Sequence, residues 1–110
     1  MKWKTIGFLS WTRSKRFIKL KLKEPTVKTY IIDPLSLQRL LDGKTVFINT
    51  QTPLIHKGKT MWKRRGYLAW SKSRQTLIHK DGERVVCIDP NEARALLNHK
   101  VPYVKLKTAS

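Results

Sequence analysis

Two short strings in this sequence join an aromatic ring to hydroxyl and cationic side chains. Trp11 is followed by Thr-Arg-Ser-Lys, and Trp70 is followed by Ser-Lys-Ser-Arg. Hydroxyls, backbone N–H groups and cations of such a segment can bind one phosphate, while an indole can stack on a base. An ordinary solvated turn after a core tryptophan is the alternative. The pattern predicts phosphate contacts, and both interpretations stay open at this point.

Cationic side chains also follow two other patterns. Residues 18–23 alternate between apolar side chains and lysines, which is typical of a strand with one buried face and one lysine face. Residues 57–65 form the densest positive stretch, for which a solvated linker is the alternative. From these patterns and their counterparts we predict the following nucleic-acid-binding residues: Lys4, Trp11, Arg13, Lys15, Lys19, Lys21, Lys63, Arg64, Arg65, Trp70, Lys72 and Arg74.

Patterns that indicate catalysis or metal binding are weaker. Asp33 and Asp89 are matched carboxylates that could bind Mg²⁺ in a two-fold nuclease, but an N-cap before proline explains both. The three histidines lack the spacing of metal ligands. His79 with Arg84 is the pair that an RNA-cleaving enzyme could use. We therefore predict no catalytic residue, no metal site and no cofactor.

These residues recur because the chain contains two copies of one unit. A displacement of 59 positions places Trp3–Lys15 on Trp62–Arg74, with the shared string W-K-x-x-G-[FY]-L-[SA]-W-[TS]-[RK]-S-[KR]. A displacement of 56 places Ile32-Asp33-Pro34 on Ile88-Asp89-Pro90. Residues 1–55 hold 11 basic and 3 acidic groups, and residues 56–110 hold 13 and 4. The positive charge thus belongs to the repeated unit rather than to a tail.

Each unit is predicted to contain three strands, a helix and a fourth strand. In the first unit the strands cover residues 3–11, 17–23, 27–32 and 45–49, and the helix follows Asp33 and ends at Gly43. We predict an α+β fold in which two tandem β-β-β-α-β repeats pack as a pseudo-two-fold pair. Its sheet is mostly antiparallel, with the short helices on one face. Repeat 1 spans residues 1–50, a connector spans 51–60 and repeat 2 spans 61–110, with both repeats in one compact domain.

Length and composition exclude several classes of protein. The chain has 110 residues, a formal charge of +17 and 40% hydrophobic residues, which is too apolar for a disordered basic tail. One cysteine, Cys87, excludes an internal disulfide framework and a cysteine-rich zinc site. The apolar runs are too short to span a membrane, and we expect no signal peptide. We expect a cytoplasmic or nucleoid location and an anionic partner.

The predicted architecture, two strand-rich units with one helix each, resembles the single-strand-binding proteins of the PUR-repeat and transcriptional-coactivator kind. A swapped-hairpin DNA-binding fold is a second architecture of this type. None of the motifs of these proteins is matched here, so no functional residue is transferred, and the resemblance is one of architecture alone.

The sequence therefore predicts a non-enzymatic nucleic-acid-binding protein. Lysines and arginines on a sheet face and in turns would neutralise phosphates, and tryptophans would stack on bases. Single-stranded DNA is slightly favoured over duplex DNA, and DNA over RNA, with a monomeric or homodimeric protein and no membrane partner. A regulator or inhibitor that binds an acidic protein through its basic face is the first alternative. A small basic nuclease or RNA-cleaving toxin is the second.

Overall fold

The computed structural model describes residues 3–23 and 27–109, which contain eight strands and two helices. The strands are β1 (Trp3–Trp11), β2 (Ile18–Leu22), β3 (Lys28–Ile32), β4 (Phe47–His56), β5 (Lys59–Ser71), β6 (Thr76–Asp81), β7 (Arg84–Ile88) and β8 (Tyr103–Ala109). The helices are α1 (Pro34–Leu41), between β3 and β4, and α2 (Pro90–Leu97), between β7 and β8. The order of elements is therefore β-β-β-α-β, followed by the same order again.

The strands form a closed antiparallel barrel in the order β1 to β8, with β8 paired back to β1. The predicted α+β fold, with two repeats and the helices covering one sheet face, is wrong. A closed sheet already buries one of its faces inside the barrel, so the helices have only an end of the barrel to cover. Period-two alternation of apolar and polar residues is the same in an open sheet and in a barrel, and it could not distinguish them.

The two repeats interlock through their last strands. β4 of the first repeat pairs with β5 of the second, and β8 of the second repeat pairs with β1 of the first. By contrast, one registered pair joins β3 to β4 (Ile31 with Gln51), and one joins β7 to β8 (Cys87 with Lys107). The barrel thus consists of two well-paired sheets, each with strands from both repeats. We call β8-β1-β2-β3 the first sheet and β4-β5-β6-β7 the second sheet.

Both helices close the same end of the barrel. Because neighbouring strands are antiparallel, β3 and β7 end on the same side, and α1 and α2 follow them there. Leu37, Leu40, Ala93 and Leu96 bury their side chains against the strand residues of the core. Neither helix in the described ranges has the length and apolar character to cross a membrane. We call this end of the barrel the helix end and the other the open end.

The predicted helix caps are confirmed. The Asp33 carboxylate accepts a hydrogen bond from the backbone N–H of Ser36 at 3.3 Å, and the Asp89 carboxylate accepts one from Asn91 at 2.7 Å. A proline occupies the first turn of both helices. The two aspartates that could have formed a two-fold magnesium site therefore serve as N-caps, which satisfy backbone donors at the start of a helix.

The glycine of the repeated string lies where two strands approach closely. A Cβ atom at Gly7 would overlap the carbonyl oxygen of Lys21 on β2. Gly66 has a φ of +75°, and a Cβ there would lie 2.9 Å from the carbonyl oxygen of Lys80 on β6. The strand register shifts beside Gly7 on β1. Glycine is required at both positions because any side chain would push the neighbouring strand away.

Candidate nucleic-acid interface

Five lysines lie on the outer side of the first sheet, on or beside β2 and β8. Along β2 the side chains of Ile18, Leu20 and Leu22 are buried, so the alternate positions face outward. Val104 and Leu106 are buried in the same way on β8. We call the outward group the basic sheet surface: Lys19, Lys21, Lys23, Lys105 and Lys107.

The register of β1 determines how these lysines are arranged. Phe8 on β1 is opposite Lys21 on one side and Lys105 on the other. Adjacent strands are about 4.8 Å apart, so the backbones of these two lysines are separated by roughly 10 Å. The ammonium group of Lys23 lies 4.7 Å from the centre of the Phe8 ring. None of the strands β8, β1, β2 and β3 contains an aspartate or glutamate. The strands of this sheet therefore concentrate positive charge and supply no carboxylate of their own.

An aromatic pair lies within the basic sheet surface. The Phe8 and Tyr103 rings pack edge to face with centroids 5.5 Å apart, and Tyr103 is 48% exposed. The second sheet carries a matching pair, Phe47 and Tyr67, with centroids 6.3 Å apart. Tyr103 was not among the predicted site residues. A final strand over residues 101–107 was predicted, and its alternation, which matches that of 18–23, is the signal that could have identified its outward residues as part of the site.

The outer side of the second sheet is far less basic. Lys19 and Lys105 of the first sheet correspond to Ile78 and Asn49 of the second, whereas Lys21 corresponds to Lys80. The two sheets thus share a backbone plan and an aromatic pair but differ in charge. Positive charge is therefore concentrated on the outer side of the first sheet. The even division of charge between the repeats did not predict this asymmetry.

The predicted turn residues lie at the helix end. Arg13 and Lys15 are exposed in the β1–β2 turn, and Lys72 and Arg74 are exposed in the β5–β6 turn. Arg74 lines a groove of about 670 Å³ at the β7–β8 seam, together with Lys105 and Lys107. Asp89 and Glu92 line the same groove. Arg74 is therefore brought to the edge of the basic sheet surface, beside two carboxylates.

The two tryptophans of the repeated string pack against helix ends. The indole Nε1–H of Trp11 donates to the carbonyl oxygen of Leu96 at 2.8 Å, and the Trp11 ring stacks on His99 with centroids 4.8 Å apart. The indole Nε1–H of Trp70 donates to the carbonyl oxygen of Leu40 at 2.6 Å, and its side chain is 37% exposed. Each indole is a second donor to a carbonyl in the last turn of a helix, because Leu96 also accepts from the backbone N–H of His99 and Leu40 from that of Gly43. The sequence pattern did not reveal this structural role.

The remaining predicted residues lie toward the open end of the barrel, where the end of the long β4–β5 hairpin projects. Lys63, Arg64 and Arg65 are exposed on β5 at the base of this projection, and Arg65 forms an ion pair with Asp81 at 3.0 Å. Lys4 lies on β1, and its side chain falls outside the described residues. The predicted site residues thus occupy three regions: the turns at the helix end, the first sheet and the hairpin base.

A polar cluster occupies part of the barrel interior, on the inner side of the second sheet. His79 is 1% exposed, and its Nε2 lies 2.9 Å from Thr50 Oγ1. The Thr50 hydroxyl donates to the carbonyl oxygen of Arg65, so it accepts from His79, which places the imidazole proton on Nε2. Burial lowers the pKa of His79 to about 4. As packed, this imidazole is neutral and does not contact solvent, and it is the histidine that the nuclease alternative requires.

Two further ionisable groups belong to this cluster. Burial, together with a hydrogen bond donated to Asp81, raises the pKa of Tyr30 to about 12. Burial of the Asp81 carboxyl opposes its ionisation, but hydrogen bonds from Tyr30 and Arg65 outweigh burial and lower its pKa. Within residues 3–23 and 27–109, no three His, Cys, Asp or Glu side chains are grouped so that they could bind a metal ion.

Comparisons with protein-family models, with curated proteins and with solved structures return no match to this chain.

Proposed function

We propose that this protein binds nucleic acid, without catalysis, through the phosphates that the basic sheet surface can contact. The observation that carries the proposal is the alignment of five outward lysines around β1, on strands that contain no carboxylate. Such a surface attracts a polyanion and gains free energy by releasing its condensed counterions. A cytoplasmic or nucleoid location accompanies a partner of this kind.

The distribution of charge favours a long polyanion over a small acidic partner. Cations continue from the basic sheet surface to Arg74 at one seam of the barrel. Others line the base of the β4–β5 hairpin at the open end. The molecule measures 42 × 30 × 26 Å, so a nucleic acid that follows these groups would contact several phosphates in succession.

Phosphate contacts, rather than stacking on tryptophan, dominate in this proposal. The preference for single strands depended on indole rings that stack on bases, and the N–H groups of Trp11 and Trp70 are bonded to helix carbonyls. Tyr103 is the exposed ring within the basic sheet surface. Phosphate binding does not distinguish single strands from duplexes, so the preferred form must depend on another part of the molecule.

Charge reversal at matched positions tests the proposal. Lys21 on β2 and Lys80 on β6 occupy equivalent places beside the aromatic pairs of the two sheets. We expect Lys21→Glu to weaken DNA binding and to reduce the slope of log affinity against log salt by about one. Lys80→Glu changes the net charge equally and should leave the slope unchanged. Fluorescence anisotropy with labelled DNA at several salt concentrations measures both.

Two results would contradict the proposal. One is an affinity of the unmodified protein for DNA that does not change between low and high salt. The other is an equal effect of Lys21→Glu and Lys80→Glu, which would mean that net charge alone determines binding. Retention of an acidic protein after nuclease treatment, with no affinity for DNA or RNA, would support the regulator alternative instead.

A further inference from the structure

We propose that the projecting end of the β4–β5 hairpin enters the major groove of duplex DNA while the basic sheet surface contacts phosphates beside it. We call this projecting end the arm and define it as residues 53–62. The inference depends on the proposed function, because the sheet must first bind the DNA. It adds a preferred form of nucleic acid, duplex DNA, and the element that would recognise it.

The arm is a regular two-stranded ribbon. Residues 51–60, which were predicted as a connector, belong to β4 and β5 and to the turn between them. Pairing continues without interruption from Gln51 with Arg64 to His56 with Lys59. The turn residues Lys57 and Gly58 both have positive φ, 51° and 77°, as in a two-residue hairpin turn. The arm therefore has a defined shape before it meets a partner.

The arm stands clear of the barrel. Every residue from 53 to 65 is exposed. At its base, the Thr52 hydroxyl donates to the carbonyl oxygen of Thr29 on β3 at 2.8 Å. Two paired strands with their side chains are about 10 Å thick, which exceeds the roughly 6 Å width of the minor groove of DNA and fits the roughly 12 Å width of the major groove.

The side chains of the arm combine exposed apolar surface with positive charge. Leu54 and Met61 are directly opposite each other on one face and are 50% and 56% exposed. On the same face, the pair of His56 with Lys59 lies on the turn side and Lys63 lies on the barrel side. Aliphatic side chains contact thymine methyl groups in the major groove, and lysines contact guanine edges or phosphates. An apolar pair between two cations suits that environment.

The opposite face of the arm is also apolar and exposed. It carries Ile55, 77% exposed, and the pair of Pro53 with Trp62, whose indole is 53% exposed. No aspartate or glutamate occurs between residues 51 and 65, which include Arg65, paired with Asp81, and four other lysines and arginines. Large apolar side chains exposed in a segment that carries lysines and no carboxylate indicate a surface that is covered by a partner. Charge complementarity makes that partner an anion.

Duplex DNA fits the arm better than the other nucleic acids do. The major groove of A-form RNA is deep and narrow, and side chains do not reach its bases. A single strand has no groove to hold a two-stranded ribbon. The arm joins β4 of the first repeat to β5 of the second, and its removal leaves the pairs of Asn49 with Tyr67 and Gln51 with Arg64 in place.

The test compares three variants of the full chain. The first replaces residues 53–62 by Asn-Gly, because Thr52 and Lys63 are already paired and can be joined by a tight turn. The second, Leu54→Thr with Met61→Thr, keeps the arm and its charge. The third, Arg39→Gln with Lys44→Gln, removes the same number of lysines and arginines as the deletion but does so at exposed positions on and after α1, outside the proposed binding surface. Circular dichroism and thermal unfolding establish that each variant is folded.

Each protein is titrated against a 20-base-pair DNA duplex, a single strand of the same length and a duplex RNA. We expect the unmodified protein to prefer duplex DNA and the armless variant to lose about tenfold or more in affinity for it. The affinity of the armless variant for single strands should match that of the Arg39→Gln, Lys44→Gln control. The unmodified protein should protect guanine N7 from dimethyl sulfate, a reaction of the major groove. The Leu54→Thr, Met61→Thr variant should lose this protection with little change in salt dependence.

The outcomes separate the two proposals. If Lys21→Glu weakens binding but the armless variant binds duplex DNA as well as its charge control does, the inference about the arm is wrong and the proposed function stands. The same conclusion follows if guanine N7 stays reactive in the complex, or if duplex RNA binds as tightly as duplex DNA. If no nucleic acid binds any of the folded proteins, the proposed function itself is wrong.

Discussion

The indole Nε1–H of Trp11, at the end of β1, donates a hydrogen bond to the carbonyl oxygen of Leu96, in the last turn of α2, at 2.8 Å. Trp70 and Leu40 form the reciprocal bond at 2.6 Å. Each bond joins the first strand of one repeat to the helix of the other. The two tryptophans of the repeated string therefore connect the repeats at the helix end. Along the barrel wall, the repeats are connected by the pairing of β4 with β5 and of β8 with β1.

Replacement of Trp11 by phenylalanine tests this connection. Trp11→Phe removes the indole donor, while the Leu96 carbonyl keeps its bond from the backbone N–H of His99, so we expect the free energy of unfolding to fall by about 1 kcal/mol. Trp62→Phe, at an indole that is 53% exposed, should change it by less than about 0.5 kcal/mol. Urea denaturation followed by circular dichroism measures both. Equal stability of the two variants would show that the Trp11 bond contributes nothing.

Acid should destabilise the protein through His79. Its pKa is lowered to about 4 in the folded state, against about 6.5 in an unfolded chain, so between these values the unfolded chain binds a proton that the folded chain does not. The stability contributed by the neutral imidazole is complete above pH 6.5 and is lost as the pH falls toward 4, by about 3 kcal/mol in total.

Chemical denaturation between pH 4 and pH 7 measures this loss. In His79→Leu, which restores the leucine found at the equivalent Leu20, the pH dependence over this range should be reduced by most of that amount. His56→Gln serves as the control because His56 is exposed in the arm. A pH dependence that is the same in the unmodified protein and in His79→Leu would assign it to other groups.

Alanine at the glycine of the repeated string should be costly. In Gly66→Ala the alanine must adopt a φ near +75°, and its Cβ would lie 2.9 Å from the Lys80 carbonyl oxygen. We therefore expect the free energy of unfolding to fall by at least about 2 kcal/mol. Gly7→Ala tests the steric effect, because that Cβ would overlap the Lys21 carbonyl. Gly82→Asn is the matched control, since asparagine tolerates positive φ and the site has open space. A thermal midpoint for Gly66→Ala equal to that of the control would disprove the close approach.

Salt should affect the free protein and its complex in opposite directions. The lysines of the basic sheet surface repel one another across distances comparable to the Debye length of about 10 Å at 0.1 M salt. Added sodium chloride should therefore raise the thermal midpoint of the free protein and weaken its binding to DNA. The increase in the midpoint should be smaller in Lys21→Glu than in Lys80→Glu. Differential scanning fluorimetry across a salt series would show whether the two variants respond alike.

Local features were predictable from the sequence because they depend on short stretches of chain. The alternation of residues 18–23 correctly places Leu20 inside and Lys21 outside. Asp33 and Asp89 before proline correctly predict the two helix starts. The arm was missed because Pro53 and Gly58 are unusual within strands, and strand propensity outside a core is weak. Here the long pairing of β4 with β5 tolerates a proline at an exposed position of the ribbon.

The sequence by itself determined the repeated string, the strand periodicity, the helix caps and the total charge, all of which are properties of neighbouring residues. Only the tertiary structure decided that β8 returns to β1, and that closure is what places Lys105 beside Phe8 and across from Lys21. Residues 21 and 105 are far apart in the chain, and no local periodicity specifies which distant strands pair. The partner of each strand is selected by the fit of the whole core, in which the side chains of all eight strands must fill one interior.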